Sequence, residues 1–400
     1  MNAAAAGPAA ISLISTQSTR RGACPTLDQP MPTGDGLLAR VRVAGARLSP
    51  EQLSRIAQLA AEHGNGVLEV TARGNLQVRG LTEESAAALA GAVRDLVAID
   101  TGVVIDHSPI AGLDPEELAD PLPLVSAIRS GSDKLASRLG PKVSVVVDGR
   151  GQVSLAALKA DIRLVAVDAT RWAVTLGGAK AQVMEPTSAV AATIAALGAL
   201  AAIGPDARAT DLFPPHADAP AEADPIAPAG PSIALRLDTG HTTAIALPFG
   251  SARASEIVRL AAEATAADVT VVRLAPAHRL LFDNAPPEFA RMAADLGFIT
   301  APDDPRRRIS ACIGSEGCAS GHIPSRKIAA GLASILGPAS QLHVSGCSKG
   351  CAYPRPAAVT LVGTSGGIGL VIMGRAGDTP QTFLDEAHLP EALVQVQSGK

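Results

Sequence analysis

Ser345-Gly-Cys-Ser-Lys-Gly-Cys-Ala352 carries two cysteines with three residues between them. A second pair, Cys312 and Cys318, stands upstream with five residues between them. Together they are four of the chain's five cysteines. Two short loops that bring four thiols together supply the full ligand set of an iron–sulfur cluster. Gly346 and Gly350 let the backbone turn tightly and bring its N–H groups close to an inorganic core. Structural zinc is the competing metal. Its paired ligands are commonly spaced by about two to four residues, and the Cys-x5-Cys arm departs from that. The spacing favours a 4Fe-4S cluster, with Cys312, Cys318, Cys347 and Cys351 as ligands.

The chain has 400 residues, room for two or three domains and a sizeable core. Cysteines gathered in one late pattern read as metal ligands in a reducing, cytoplasmic setting, not as a disulfide framework. The fifth, Cys24, reads as a packing residue. A formal net charge of −4 and 2% aromatic content give no basis for a nucleic-acid partner. No apolar run reads as a membrane span. Residues 1–19 are rich in Ala and Ser, with no basic residue ahead of the apolar part. They read as a disordered tail rather than a signal peptide.

Outward from the cysteines, the chain divides at 204–231. This stretch is rich in Pro, Ala and Asp, and reads as a linker or long surface loop. The two sides follow a common order. The first predicts a strand over 37–43, a helix over Pro50–His63, and strands over 67–71 and 76–79. The second predicts strands over 233–237 and 243–247, a helix near 254–264, and strands over 269–274 and 279–282. The shared order argues for an internal duplication.

The first helix is well specified. Ser49 caps it, Pro50 suits its first turn, Gln52 completes a capping box, and Gly64 stops it. Leu53, Ile56, Ala57 and Ala60 form its apolar stripe. In the strand before it, Leu37, Ala39, Val41 and Val43 share one face, and Arg40 and Arg42 the other. In Glu69-Val-Thr-Ala-Arg-Gly-Asn-Leu-Gln-Val-Arg79, the residues Thr71, Arg73, Asn75, Gln77 and Arg79 share a parity, with a turn at Gly74. Leu76 and Val78 take the opposite one. The prediction is a small sheet with helices on its apolar face and a basic, polar row on the other. Such a row is often only a solvated face. This one lacks the Lys/Glu mixture of solvated strands, and its arginines and amides suit two-pronged binding of carboxylates.

Each half continues into a segment of different character. After the first sheet come Asp106-His-Ser-Pro-Ile-Ala-Gly-Leu-Asp114 and Leu139-Gly-Pro-Lys-Val-Ser-Val-Val-Val-Asp148. After the second comes the cysteine region. Between Cys318 and Cys347 one helix is expected, with Ile328, Ala329, Leu332 and Ile335 on one side, followed by a strand over 341–345. The second cysteine pair then sits at a strand end, where loops commonly carry function. Gly363-Thr-Ser-Gly-Gly-Ile-Gly369 reads as a hairpin turn. Neither a Lys-Ser/Thr pair nor a helix follows it, as a phosphate loop requires.

On these residues the chain resembles the nitrite/sulfite reductase superfamily. The cysteine spacing with Ser-Gly-Cys-x3-Cys-Ala is similar to that superfamily's cluster motif. Thr71-Ala-Arg73-Gly-Asn75-Leu-Gln77-Val-Arg79 resembles its Thr-x-Arg-x-x-x-Gln loop, which contacts sirohaem and the bound anion. Within the superfamily, Arg21-Gly-Ala-Cys-Pro25 and Met31-Pro-Thr-Gly-Asp-Gly-Leu-Leu38 are most similar to the precorrin-3B synthase family of aerobic cobalamin biosynthesis. The resemblance spans roughly residues 22–374. It implies an α+β fold of two pseudo-repeated halves, each a ferredoxin-like half-domain plus a larger α+β domain, with a cluster in the second half only. The implied segments are a tail at 1–20, half-domains at 21–97 and 232–304, α+β domains at 98–203 and 305–400, and the linker at 204–231.

The resemblance also implies an activity: oxygen-dependent hydroxylation of precorrin-3A at C20, with closure of a γ-lactone, to give precorrin-3B. Its implied cofactors are a 4Fe-4S cluster and a mononuclear non-haem iron rather than sirohaem. Its implied partners are precorrin-3A, dioxygen and an electron donor, either NADH-linked or a reductase. The sulfite reductases carry two lysines as Lys-x-Lys at the anion site. Here Pro141-Lys142-Val143-Ser144 keeps only the first, which disfavours a reduction that needs many protons delivered. The carboxylate-rimmed macrocycle calls for cations at fixed spacing. Thr71, Arg73, Asn75, Gln77, Arg79 and Lys142 are the candidate substrate-binding set.

Ligands of a second iron are not legible. His107, His278, His322 and His343 each read singly as structural, and no two-His-one-carboxylate motif is visible. In the reductases the last cysteine, here Cys351, bridges cluster and sirohaem iron. No catalytic residue is identified. Two other readings stand beside this one. The first is a sirohaem-dependent nitrite or sulfite reductase. The second is a non-catalytic iron–sulfur carrier or redox sensor, which would not need the duplicated halves or the arginine row.

Overall fold

A computed structural model describes residues 24–215, 234–338 and 340–398. The expected tail at 1–20 and the 216–231 part of the expected linker lie outside the described residues. The first half runs β1 (Met31–Thr33), β2 (Gly36–Val41), β3 (Arg47–Leu48), α1 (Pro50–His63), β4 (Val67–Val70), β5 (Leu76–Leu81), α2 (Glu83–Leu96), β6 (Val104–Asp106), α3 (Leu122–Ser132), β7 (Ser144–Asp148), β8 (Ile162–Ala166), β9 (Trp172–Leu176), β10 (Gln182–Met184), α4 (Pro186–Ile203) and α5 (Ala209–Leu212). The second runs β11 (Ala234–Leu237), β12 (Gly240–Ala246), β13 (Ser251–Arg253), α6 (Ala254–Ala266), β14 (Val272–Ala275), β15 (Arg279–Asp283), α7 (Pro287–Asp295), β16 (Ile309–Ala311), α8 (Ser325–Leu332), β17 (Leu342–Ser345), β18 (Ala357–Thr364), β19 (Gly367–Gly374), β20 (Thr382–Leu384) and α9 (Leu389–Gln397).

The described strands form four sheets, two per half. Each half-domain sheet borrows one strand from the other half. The first has the order β1-β2-β5-β4-β13, and the second β11-β12-β15-β14-β3. The exchange is antiparallel in both, with Arg253 opposite Val67 and Arg47 opposite Arg273. The inner faces of both sheets, with α1, α2 and α6, share one core that includes Leu53, Ile56, Leu76, Val78, Ile257, Leu280 and Phe282. Two half-domains thereby become one body. Burial of this many large aliphatic side chains is what holds them together.

The sequence rules operate where expected. Ser49 accepts from the Gln52 N–H, and the Gln52 side chain accepts from the Ser49 N–H. At the start of β2 the simple alternation fails. A bulge lies between Leu37 and Ala39, so Leu38 is buried as well as Ala39, while Leu37 keeps the expected face and packs against the core that holds Ala39, Val41 and Val43. The strand also stops at Val41, and Val43 makes only an isolated bridge to Ile99. Thr364 pairs with Gly367 in the β18–β19 hairpin expected from the glycine-rich run. Helix α8 ends at Leu332, short of the expectation, and Ile335 falls in a following 3-10 turn.

The two α+β sheets are copies in topology. In β6-β7-β8-β9-β10 the first three strands are parallel and the rest antiparallel, and β16-β17-β18-β19-β20 repeats this. One face of each is covered by its own helices, α3 and α4 in the first and α8 and α9 in the second. Helix α4 corrects the membrane expectation. It is long and apolar enough, by length and composition, to cross a bilayer. Its Ala189, Thr193, Ala196, Leu197, Leu200 and Ala201 are buried, and it packs on α3 and β9 as a core helix does. Alanine supplies its apolarity, and a small side chain lets it lie close to the sheet.

Candidate functional site

The cysteines cluster because two parallel strands end together. Ala311 of β16 pairs with Val344 of β17, so Cys312 and the Gly346-Cys347 turn leave the sheet side by side. The Gly346 N–H donates to Cys312 Sγ at 3.1 Å. Cys318 sits in a turn closed by its own N–H on the Gly314 carbonyl at 2.9 Å. Desolvation pushes the Cys351 thiol above its ordinary value, and Cys312, Cys347 and Cys318 push it further. The other three sulfurs therefore lie within electrostatic reach of Cys351. Among the described residues no group of three or more His, Cys, Asp or Glu side chains is arranged to hold a single metal ion. A cubane is ligated at its corners, so its thiolates stand farther apart than the ligands of one zinc. The four cysteines fit a 4Fe-4S cluster on chemistry and placement. The described residues contain no comparable donor set for a mononuclear iron.

The first half packs against the cysteine loops. The turn between β1 and β2 presents Gly34 to Cys318, and its carbonyl accepts from the Ala319 N–H at 2.7 Å. A side chain at Gly34 would collide with Cys318 Sγ. The next residue, Asp35, takes the Arg79 guanidinium in a fork, at 2.9 Å from Nε and 2.7 Å from a terminal nitrogen. Thr33 and Asn65 also donate to Asp35. Arg79 lies 3.6 Å from Glu69, and Glu69 receives Arg326 of α8 at 3.1 Å. Burial works against the charge on Arg79, but Asp35 and Glu69 hold its pKa above the ordinary arginine value, and Cys318 adds to this. Burial lowers the pKa of Arg326, partly offset by Glu69 and Cys312.

The predicted polar row faces outward from the first half-domain sheet. Across it, Arg40 of β2 stands opposite Gln77, and Gln77 opposite Glu69. Its members have different partners. Thr71 fixes the turn, since its Oγ1 accepts from the N–H groups of Arg73 and Asn75. Gly74 adopts φ +82 there and lies against the Ala275 backbone, a place for glycine alone. Arg73 extends away from the cysteines to Asp106 at the end of β6 and to the Lys159 carbonyl. Burial pushes the Asp106 carboxyl above its usual range despite Arg73. Arg79 serves the cysteine side. Arg40 makes no ion pair with a carboxylate among the described residues and lies against Cys24, the residue read as simple packing. The row thus runs from the cysteine domain at Arg79 to the first α+β domain at Arg73.

Lys142 precedes β7 by two residues. It lies in a turn closed by the Val143 N–H on the Gly140 carbonyl, at the start of β7, whereas Arg73 reaches Asp106 at the end of β6. The histidines do not converge. His107 bonds the Ser108 carbonyl, His278 bonds the Val70 carbonyl, and the His322 N–H bonds the Gly346 carbonyl. His343 is fully buried, and desolvation lowers its pKa to about 4. Sequence reasoning missed Gly34, Asp35, Glu69 and Arg326 as parts of the site. It also left out Arg40, although the strand parity places it beside Gln77.

Residues 29–96 match the family model of the nitrite/sulfite reductase ferredoxin-like half domain. Precorrin-3B synthase of Sinorhizobium sp is 37% identical, over 95% of this chain and 88% of that protein. The structure of the Mycobacterium tuberculosis NirA protein superposes with a TM-score of 0.65 at 18% identity, covering 91% of this chain and 80% of that one.

Proposed function

The chain belongs to the precorrin-3B synthase family, and on that premise we propose that it hydroxylates precorrin-3A with dioxygen to give precorrin-3B in aerobic cobalamin biosynthesis. One oxygen atom enters at C20, and the ring A acetate closes the γ-lactone. The other leaves as water, which takes two electrons and two protons from an outside donor, NADH-linked or a reductase. Cys312, Cys318, Cys347 and Cys351 would hold a 4Fe-4S cluster, which when bound supplies one-electron transfers. No step is assigned to a mononuclear iron.

The observation that carries this reading is the continuity between the cysteine turn and the row. Arg79 joins the sheet to the cysteine turn through Asp35, and the same face continues through Gln77 and Asn75 to Arg73. A macrocycle rimmed with carboxylates can lie along such a face beside a redox centre. Arg79 spends its donors on Asp35 and Glu69, so it fixes the frame. Asp106 and the Lys159 carbonyl hold two nitrogens of Arg73 and leave its Nε for substrate. Arg40, Asn75 and Gln77 add donors from the same face, and Lys142 adds charge at its edge.

The test uses anaerobically purified protein, precorrin-3A, a reductant and ¹⁸O₂. One labelled oxygen should appear in the C20 hydroxyl. Arg73→Ala should weaken precorrin-3A binding by about 2–5 kcal/mol, Arg73→Lys should recover little, and the helix-surface control Arg55→Ala should bind normally. Turnover under strict anoxia, or a tightly bound sirohaem with efficient sulfide production from sulfite, would instead identify a reductase.

A further inference from the structure

His343 lies on β17 between Leu342 and Val344, whose side chains enter the core under α8. Alternation sends His343 to the other face of the sheet, where the chain after Cys347 folds back over it. There it is 0% exposed. Its Cε1 lies 3.7 Å from the position a Cβ on Gly350 would take, and its ring meets Tyr353 edge-on with centroids 5.9 Å apart. Gly350 and Tyr353 flank Cys351. Neither ring nitrogen has a hydrogen-bond partner among the described residues. A neutral imidazole carries one donor and one acceptor, and burying both without partners is unfavourable.

The duplicate domain supplies the control. Ser310 pairs with His343 as Asp106 pairs with Val146, so Val146 occupies the same place in the first domain. Val146 is also 0% exposed and packs among Ile110, Val153 and Leu155. The sheet is therefore built as well with an aliphatic side chain at this position, and the histidine answers a need that only the cysteine-bearing copy has.

We infer that His343 is a positioning residue for the cluster, supporting the Gly350–Tyr353 turn from beneath and offering its ring N–H toward the sulfur of the centre. This rests on the cluster reading of the four cysteines. A hydrogen bond to cluster sulfur favours the reduced, more negative form and raises the reduction potential.

The experiment is a potentiometric titration of the reduced-cluster EPR signal in wild type, His343→Val and His343→Gln, with labile sulfide and far-UV circular dichroism measured on each. The valine variant should fold, keep wild-type sulfide, and titrate at a more negative potential with an altered signal. The glutamine variant retains an N–H donor and should titrate closer to wild type. An unchanged potential and signal in His343→Val would overturn the inference. So would loss of sulfide in both variants with an intact fold, because the N–H donor that glutamine retains would then not stand in for the ring. If valine alone loses the cluster while glutamine keeps it at near wild-type potential, the inference stands. Absence of labile sulfide from the wild type would count against the cluster reading itself.

Discussion

The two α+β domains share strand order, direction and helix placement, yet only one gathers thiols. Counting from paired positions locates the difference. Two residues beyond Asp106 and Ser310 stand Ser108 and Cys312. Two beyond Asp148 and Ser345 stand Arg150 and Cys347. In the first domain the end of β7 borders an open cleft of about 460 Å³ lined by Asp148, Arg150, Ser154 and Arg163 among others. The half-domain sheets differ in the same manner. Arg40, Gln77 and Glu69 cross the first sheet; at the matching positions the second has Ala244, Leu281 and Arg273. There Ala244 and Leu281 are sealed against the first α+β domain, and Arg273 is tied to Asp283. The fold is carried by the buried alternation common to both copies. The site is carried by a few side chains on the faces and strand ends that this packing leaves free.

The largest expected contrast lies at the matched strand ends. Cys347→Ser should abolish most labile sulfide, and Arg150→Ser should leave it at wild-type content. Equal sulfide in the two would erase the functional difference between the copies. The next contrast compares the two turns that cross between halves. Gly34 docks on the Cys318 turn, and the β11–β12 turn docks its Asp238 N–H on Leu113. Gly34→Ala should lose most of the cluster, because its Cβ collides with Cys318, whereas Thr239→Ala, at an exposed position, should behave as wild type.

Arg79→Ala should lower stability by about 3 kcal/mol, since it leaves the largely buried Asp35 without its partner. Chemical denaturation reads this directly. The same variant should hold less cluster than Arg73→Ala, because Arg79 holds Asp35 beside the Gly34 that docks on the Cys318 turn, whereas Arg73 reaches Asp106. Equal cluster content in both would show that the row does not divide as described.

The smallest contrast concerns the loops after β6 and β16. Where the second has cysteines, the first has acids. Burial, then Asp114, Asp120 and Asp148, push the Glu117 carboxyl up to about 7, against the pull of the Gly112 N–H. The folded chain keeps a proton that the unfolded chain releases above the ordinary value of 4.5. Stability from this group is present below that value and lost as pH rises through about 7. Glu117 is only partly buried, so the loss should be about 1 kcal/mol. Urea midpoints at about pH 5 and about pH 8 should therefore differ less in Glu117→Gln than in wild type. An equal difference in both would assign the pH dependence to other groups.

Much of this was legible because it is local. The α1 capping box, the Cys-x3-Cys turn and the Gly366-Gly367 hairpin each depend on a few neighbouring residues. The strand exchange was not legible. Strand β3 has two residues and β13 three, too short for a periodic signal, and each pairs with a strand of the other half. The row at 71–79 was legible as a face, since alternation assigns faces. Its occupancy was not, because Asp35, Glu69 and Asp106 reach the arginines from other elements. Parity gives a direction and says nothing of which acid lies opposite.

The most direct test is the iron and labile sulfide count of anaerobically purified wild type beside Cys347→Ser and Cys24→Ser. The account predicts about four sulfides per chain in wild type and Cys24→Ser, with most lost in Cys347→Ser. Zinc in place of sulfide, or equal sulfide in all three proteins, would contradict it.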